Sequence, residues 1–178
     1  MKRAQIFWFT GLSGVGKTTV SQKVKDLLIE EGFSVLILDG DIIREKRHKS
    51  LSFSTIDIKN NNKLILELCL NEREVYDFIL VTIISPFASS RKLARNKSMP
   101  GFYEVYCKAE IEELIKRDTK GLYSKAINGE IDNLIGFSPK AVYEPPENPD
   151  IILNSSTDSI DTSVNKLFSF ALKTLKTI

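Results

Sequence analysis

Phe7-Trp8-Phe9-Thr10-Gly11-Leu12-Ser13-Gly14-Val15-Gly16-Lys17-Thr18-Thr19 decides how the rest of the chain is read. The apolar run Ile6 to Phe9 reads as a buried strand. It feeds a turn with the spacing G-x-x-x-x-G-K-T, the phosphate-binding loop pattern. Gly11, Gly14 and Gly16 let the backbone curl so that successive N–H groups, those of Ser13 and Val15 among them, point at phosphate oxygens. The helix beginning near Lys17 adds its positive end. Lys17 reaches the β- and γ-phosphates, the Thr18 hydroxyl suits Mg²⁺, and Thr19 lies in the same first turn. A chance glycine turn would lack the strand before and the amphipathic helix after.

Length and composition narrow the class. A chain of 178 residues predicts one domain, 1–178, and 42% apolar residues give a globular composition. A net charge of +2 argues against nucleic-acid polymers and membrane surfaces as partners. Cys69 and Cys107 lie far apart and read as reduced thiols. No apolar run reaches the roughly 18 residues of a membrane span. Gly11 also breaks the first apolar run too early for a signal peptide, so the expected location is cytoplasmic.

Outward from the loop, Val20, Val24, Leu27 and Leu28 share one helical face, and Gly32 stops that helix. Ser34 to Leu38 is a second strand running into Asp39-Gly40-Asp41. In a parallel sheet that strand end shares a rim with the phosphate loop, which brings two carboxylates to the metal and the transferred group. A turn or a helix cap is the competing use of Asp39 and Asp41. Residues 45–62 are polar and read as irregular; His48 there reads as a solvated loop residue. A helix is predicted over Lys63 to Glu72. Phe78 to Ile84, the most apolar stretch, is expected at the sheet centre and ends in Ser85-Pro86 on the functional rim. Arg91 and Arg95 share a helical face and suit a structural role as well as a ligand role. Phe102 to Tyr106 is a fourth strand, and Ile111, Leu114 and Ile115 mark a helix. Residues 117–148 show little periodicity and read as a cationic lid. A short fifth strand, Ile151 to Leu153, precedes a final helix capped by Asp158 or Ser159. The alternation predicts an α/β fold, a doubly wound parallel five-stranded sheet flanked by helices.

Three classes of phosphate-loop protein compete. A guanine-reading N-K-x-D is absent, and the third strand ends in Ile84-Ser85 rather than in the acid of a motor ATPase. The acid pair after the second strand points to a small kinase, in which an Asp accepts the proton of an acceptor hydroxyl.

The ordered set Leu38-Asp39-Gly40-Asp41 with Arg44, Phe53-Ser54 with Asp57 and Asn61, Ile84-Ser85-Pro86, Lys120-Gly121-Leu122-Tyr123 and Tyr143-Glu144-Pro145-Pro146 resembles the adenylylsulfate kinase family. That resemblance implies transfer of the ATP γ-phosphoryl group, with Mg²⁺, to the 3′-hydroxyl of a small nucleotide acceptor by a homodimer. By position it implies ATP and Mg²⁺ at Lys17 and Thr18, Asp41 as general base, and Asp39 assisting at the metal. It puts Arg44, Phe53, Asn61, Ser85, Pro86, Leu122 and Leu134 at the acceptor, Lys120 against phosphates, and Arg117 near the donor nucleotide.

Departures cluster on the acceptor side. Ile58 stands where the family has an Arg, and Ile cannot offer the planar fork that holds a sulfate. Ile42 replaces an Asn. Leu134-Ile135-Gly136 replaces Phe-Thr-Gly, and the stretch before Tyr143 is about two residues longer. These changes imply an acceptor with less charge at its tail and a smaller base. Cytidine diphosphoramidate, which a kinase resembling this family phosphorylates at the 3′-hydroxyl in bacterial capsule synthesis, fits both. Adenylylsulfate itself is one alternative and a non-catalytic nucleotide-binding regulator another.

Overall fold

A computed structural model describes residues 3–47 and 54–175, the last four of the first span as backbone only. Strands β1 (Gln5–Thr10), β2 (Val35–Asp39), β3 (Phe78–Thr82), β4 (Phe102–Lys108) and β5 (Ile151–Asn154) pair in parallel in the order β2-β3-β1-β4-β5. The expected doubly wound parallel sheet is therefore observed. Its centre is β1, not Phe78 to Ile84. β1 is buried at every position, with Phe7 paired to Leu80 on one side and Tyr103 on the other. A run of apolar residues shows that a strand is interior but not its place in the order.

The two-residue alternation along β1 gives each sheet face its own core. Phe7 and Phe9 pack with Phe78, Leu80 and Val105 against α1 (Lys17–Glu30), α5 (Ile111–Arg117), α6 (Leu122–Ile127) and α7 (Ile160–Thr174). Ile6 and Trp8 pack with Ile79, Val81 and Phe102 against α3 (Thr55–Asn71) and α4 (Ala88–Ser98). Because β1 lies between β3 and β4, the loop leaving its end opens at a topological switch point, where doubly wound sheets bind ligands.

Two stretches differ from expectation. A helix α2 (Gly40–Arg47) follows β2, and α3 begins at Thr55, so much of 45–62 is helical. Ser54 caps α3, its hydroxyl accepting from Asp57 N at 3.1 Å. The first turns of α3 bury Ile58, Asn61 and Asn62, and two polar residues on the inner face erase the apolar period. Residues 117–148 contain α6, whose Tyr123 is fully buried. His48 and Phe53 lie outside the described residues. The final helix starts as expected, with Ser159 Oγ accepting from Thr162 N at 3.0 Å. No helix among the described residues is long and apolar enough to cross a membrane.

Candidate active site

Gly11 starts the loop with φ +150, and a Cβ there would sit 2.3 Å from the Cys107 carbonyl oxygen, so only glycine lets β1 turn beside β4. Gly14 and Gly16 also have positive φ. Gly16 is the N-cap of α1 and no side chain caps that helix, which leaves its first N–H groups for a ligand. Ser13 is buried, Thr18 and Thr19 are exposed, and the Val15 side chain is part of the core, so Val15 can offer nucleotide only its backbone. Lys17 folds back over the loop, its Nζ donating to the Gly11 and Leu12 carbonyls at 2.9 and 2.8 Å. Burial, with the Lys120 charge adding to it, lowers the Lys17 ammonium to about 8; Cys107, Asp41 and Asp39 oppose the shift.

Asp39, 7% exposed at the end of β2, is a hub. Its Oδ2 accepts from Thr18 Oγ1 and Thr82 Oγ1, each at 2.9 Å, and its Oδ1 accepts from Asp41 N at 2.9 Å and Ile42 N at 3.3 Å. One carboxylate thus holds the Thr18 hydroxyl and caps α2. Asp41, two residues on, is exposed and forms an ion pair with Lys120 at 2.5 Å. Ser13, Gly14, Lys17, Thr18, Asp41 and Lys120 help line a cleft of about 220 Å³.

A second cleft, about 100 Å³, opens on the other side of Asp41, with Ile58, Asn61, Asn62, Ile84, Ser85 and Pro86 in its lining. Ser85 has φ +45, a left-handed value unusual for a residue other than glycine. Four contacts hold it there. Trp8 Nε1 donates to its hydroxyl at 3.0 Å, and that hydroxyl donates to Asn62 Oδ1 at 2.8 Å. Thr10 Oγ1 and Arg91 Nη1 donate to its carbonyl at 3.1 and 2.8 Å. Such strain collects where surroundings over-determine a functional conformation. Asn61 is buried with its Oδ1 unpartnered among the described residues. Arg91 is 3% exposed, and its Nε donates to Glu104 at 2.6 Å. Arg95 pairs with Asp150 at 2.5 Å. Both arginines are structural.

The lid rests on the loop. Tyr123 Oη donates to the Ser13 carbonyl at 3.0 Å. Gly136 has φ +78, and a Cβ there would meet Leu12 Cδ2 at 2.3 Å. Leu122 is partly buried against the core. Leu134 is a core residue, 6% exposed, and does not line the acceptor-side cleft; its neighbour Ile135 does. That corrects the expectation for Leu134, since the backbone direction at 134–136 is set by docking on Leu12. Arg117 reaches the stretch after β5, its Nη2 donating to the Ser155 carbonyl at 2.7 Å, and is not part of the loop cleft's lining. The Arg44 side chain lies outside the described residues.

A family model described as adenylylsulphate kinase matches residues 3–154. The chain belongs to the adenylylsulfate kinase family. The adenylyl-sulfate kinase of Halothermothrix orenii is 41% identical over 166 residues, which span 92% of this chain and 86% of that protein. The probable adenylyl-sulfate kinase of Bacillus subtilis is 37% identical over 174 residues, 97% of this chain and 87% of that protein. The solved Mycobacterium tuberculosis APS kinase in complex with AMPPNP and APS superposes with a TM-score of 0.90 at 35% identity, covering 97% of this chain and 99% of that one.

As a member of the adenylylsulfate kinase family this chain is an ATP-dependent kinase that acts on a small nucleotide, with ATP and Mg²⁺ as cofactors. The residues present fit both. The uncapped α1 terminus, the positive-φ glycines and the Lys17 ammonium make a phosphate cradle. The Thr18 hydroxyl, held by Asp39 Oδ2 at 2.9 Å on the edge of this cradle, is the group that would take Mg²⁺ beside the phosphates.

Sequence reasoning gave no site role to Trp8, Thr82 and Asn62, which position site residues from distant elements. For Trp8 and Thr82 the one local signal was a polar atom inside an otherwise apolar run; Asn62 stands in the polar run Asn60-Asn61-Asn62 and gave none.

Proposed function

We propose that this kinase transfers the γ-phosphoryl group of ATP to the 3′-hydroxyl of a nucleotide whose tail ends in a neutral amide nitrogen rather than in sulfate. Cytidine diphosphoramidate, in a capsule phosphoramidate pathway, is the favoured acceptor. Asp41 takes the hydroxyl proton as the ribose oxygen attacks phosphorus and ADP leaves. Lys17 and Lys120 neutralise phosphate charge, and Thr18, held by Asp39, orients Mg²⁺. Nucleotide phosphates compete with Asp41 for Lys120, which releases the carboxylate to act as base. Ser13, Gly14 and Gly16 bind phosphate through backbone N–H groups, and Asn61, Ser85 and Pro86 shape the ribose side. Arg117 faces the donor base, and the working unit is a homodimer.

The observation that carries the choice of acceptor is the wall of the cleft beside Asp41. Ile58, Ile83, Ile84 and Ile135 line it. Ile58 offers no planar fork to the oxygens of a terminal sulfate, which supports an acceptor whose tail ends in an amide. Adenylylsulfate is the second reading, and sequence likeness favours it: the curated relatives above are named for that activity.

The test is kcat/KM for the two acceptors, with saturating ATP and Mg²⁺. A preference of at least about tenfold for cytidine diphosphoramidate is expected, the scale on which one lost or gained polar contact discriminates. The reverse preference overturns the favoured acceptor and leaves the kinase chemistry standing.

A further inference from the structure

The cleft beside Asp41 is too small to hold a nucleotide. Its volume of about 100 Å³ compares with the roughly 300–1,000 Å³ of ordinary small-ligand sites. A third cleft of about 300 Å³ shares two of its walls, Ile58 and Ile135. An acceptor with its ribose at Asp41 therefore has to extend past these two isoleucines. Everything it carries besides the ribose, base and phosphate tail alike, must be met there or in open solvent.

The lining of this third cleft includes one cation, Lys140, and one carboxylate, Asp132, with Ser54, Thr55 and Asn133 as further polar residues. Lys140 is exposed and makes no ion pair or hydrogen bond with the described residues. Lys59 stands nearby over the Phe87 ring, 5.2 Å from its centroid, so its charge is already engaged by an aromatic face. The backbone that carries Lys140 is closed on itself. Gly136 N donates to the Ala141 carbonyl at 2.6 Å, Ala141 N to the Ser138 carbonyl at 2.9 Å, and Leu134 N to Ser138 Oγ at 3.0 Å. Leu134 is anchored in the core and Gly136 is pressed on Leu12 of the phosphate loop. A free ammonium is thus presented from a fixed base at the mouth of the space the acceptor must enter.

We infer that Lys140 is a substrate-binding residue that pairs with the phosphate tail of the nucleotide acceptor where it passes the isoleucine wall. The inference rests on the kinase reading above but not on which of the two acceptors is used, since both carry phosphate. Asp132 and Asn133 in the same lining offer hydrogen-bond partners to the base.

Steady-state kinetics of the wild type, K140A and K140R test it, with ATP and Mg²⁺ saturating and either cytidine diphosphoramidate or adenylylsulfate varied. K140A is expected to raise the acceptor KM about tenfold, the loss of one charge-assisted contact to phosphate. In the same variant kcat and the KM for ATP should stay within about twofold, the pattern of lost uniform binding. K140R should recover most of the affinity, and the gap between K140A and wild type should narrow as salt rises. An unchanged acceptor KM in K140A, or a fall in kcat alone, overturns the assignment. So does equal damage by K140A and K140R, which would mark a packing role. A wild type that turns over neither acceptor removes the kinase reading and this inference together. An active wild type with an indifferent K140A removes only the latter.

Discussion

Asp41 and Lys17 carry opposite charges into the same cleft. Asp41 is exposed, with one partner, Lys120. Replacing it by Asn removes the proton acceptor with almost no change in shape. D41N should lower kcat by about 10²–10⁴-fold, the span of general-base catalysis; a loss below about tenfold would move that role elsewhere. Lys17 is buried and its ammonium sits near 8 rather than 10.5. The unfolded chain holds this proton more firmly, so between those two values the Lys17 contribution to stability rises with pH. Phosphates restore the charged form, so ATP binding above about pH 8 takes up a proton and weakens by up to about tenfold per pH unit. Calorimetry at about pH 8.5 in buffers of different ionisation enthalpy should show that uptake, and a buffer-independent heat would contradict it. I58R should improve turnover of adenylylsulfate by placing a guanidinium in the apolar wall; steady-state kinetics showing no gain would weaken the charge argument. That Lys17, Thr18, Asp39, Asp41 and Lys120 come together in one cleft was legible in sequence because each stands in a short motif at the end of a strand or helix. Leu134 was misplaced because a motif gives positions along the chain and not the direction of a side chain.

At the level of elements, the β1–loop–α1 unit is local, and its reading from sequence matches the structure closely. The acceptor side is not local. Ser85 is held by β1 through Trp8 and Thr10, by α3 through Asn62, and by α4 through Arg91. No periodicity could have revealed that four-way contact. The start of α3 was lost for a related reason: its Asn61 and Asn62 spend buried positions on the cleft, so the helix lacks an apolar stripe just where it serves the site. Arg91 ties this assembly to Glu104. R91A removes the 2.6 Å partner of buried Glu104 and leaves it only Arg95 at 3.7 Å, which should cost about 3 kcal/mol. Thermal unfolding should show a drop of roughly 10 °C for a chain of this size. Acceptor turnover should fall with it, because the Ser85 carbonyl loses a donor. A stable R91A would mean that Glu104 finds another partner.

Across the whole molecule, the sheet order places the cradle, the carboxylates and the lid on one rim. Alternating strands and helices predicted that layered arrangement correctly, while the position of β1 at the centre emerged only from the pairing. The lid is not a loose flap in this state. Tyr123 and Gly136 dock it on the phosphate loop from two directions, which links the donor cradle to the acceptor cleft through Ser13 and Leu12. The account predicts that this rim performs one reaction, phosphoryl transfer from ATP to a ribose 3′-oxygen with Asp41 as base. Phosphorus NMR of the products formed from ATP, Mg²⁺ and cytidine diphosphoramidate tests it most directly. A new phosphomonoester coupled to the ribose 3′-carbon, formed by the wild type and lost in D41N, is the predicted result. Phosphate on any other atom, or the same product at undiminished rate from D41N, would contradict it.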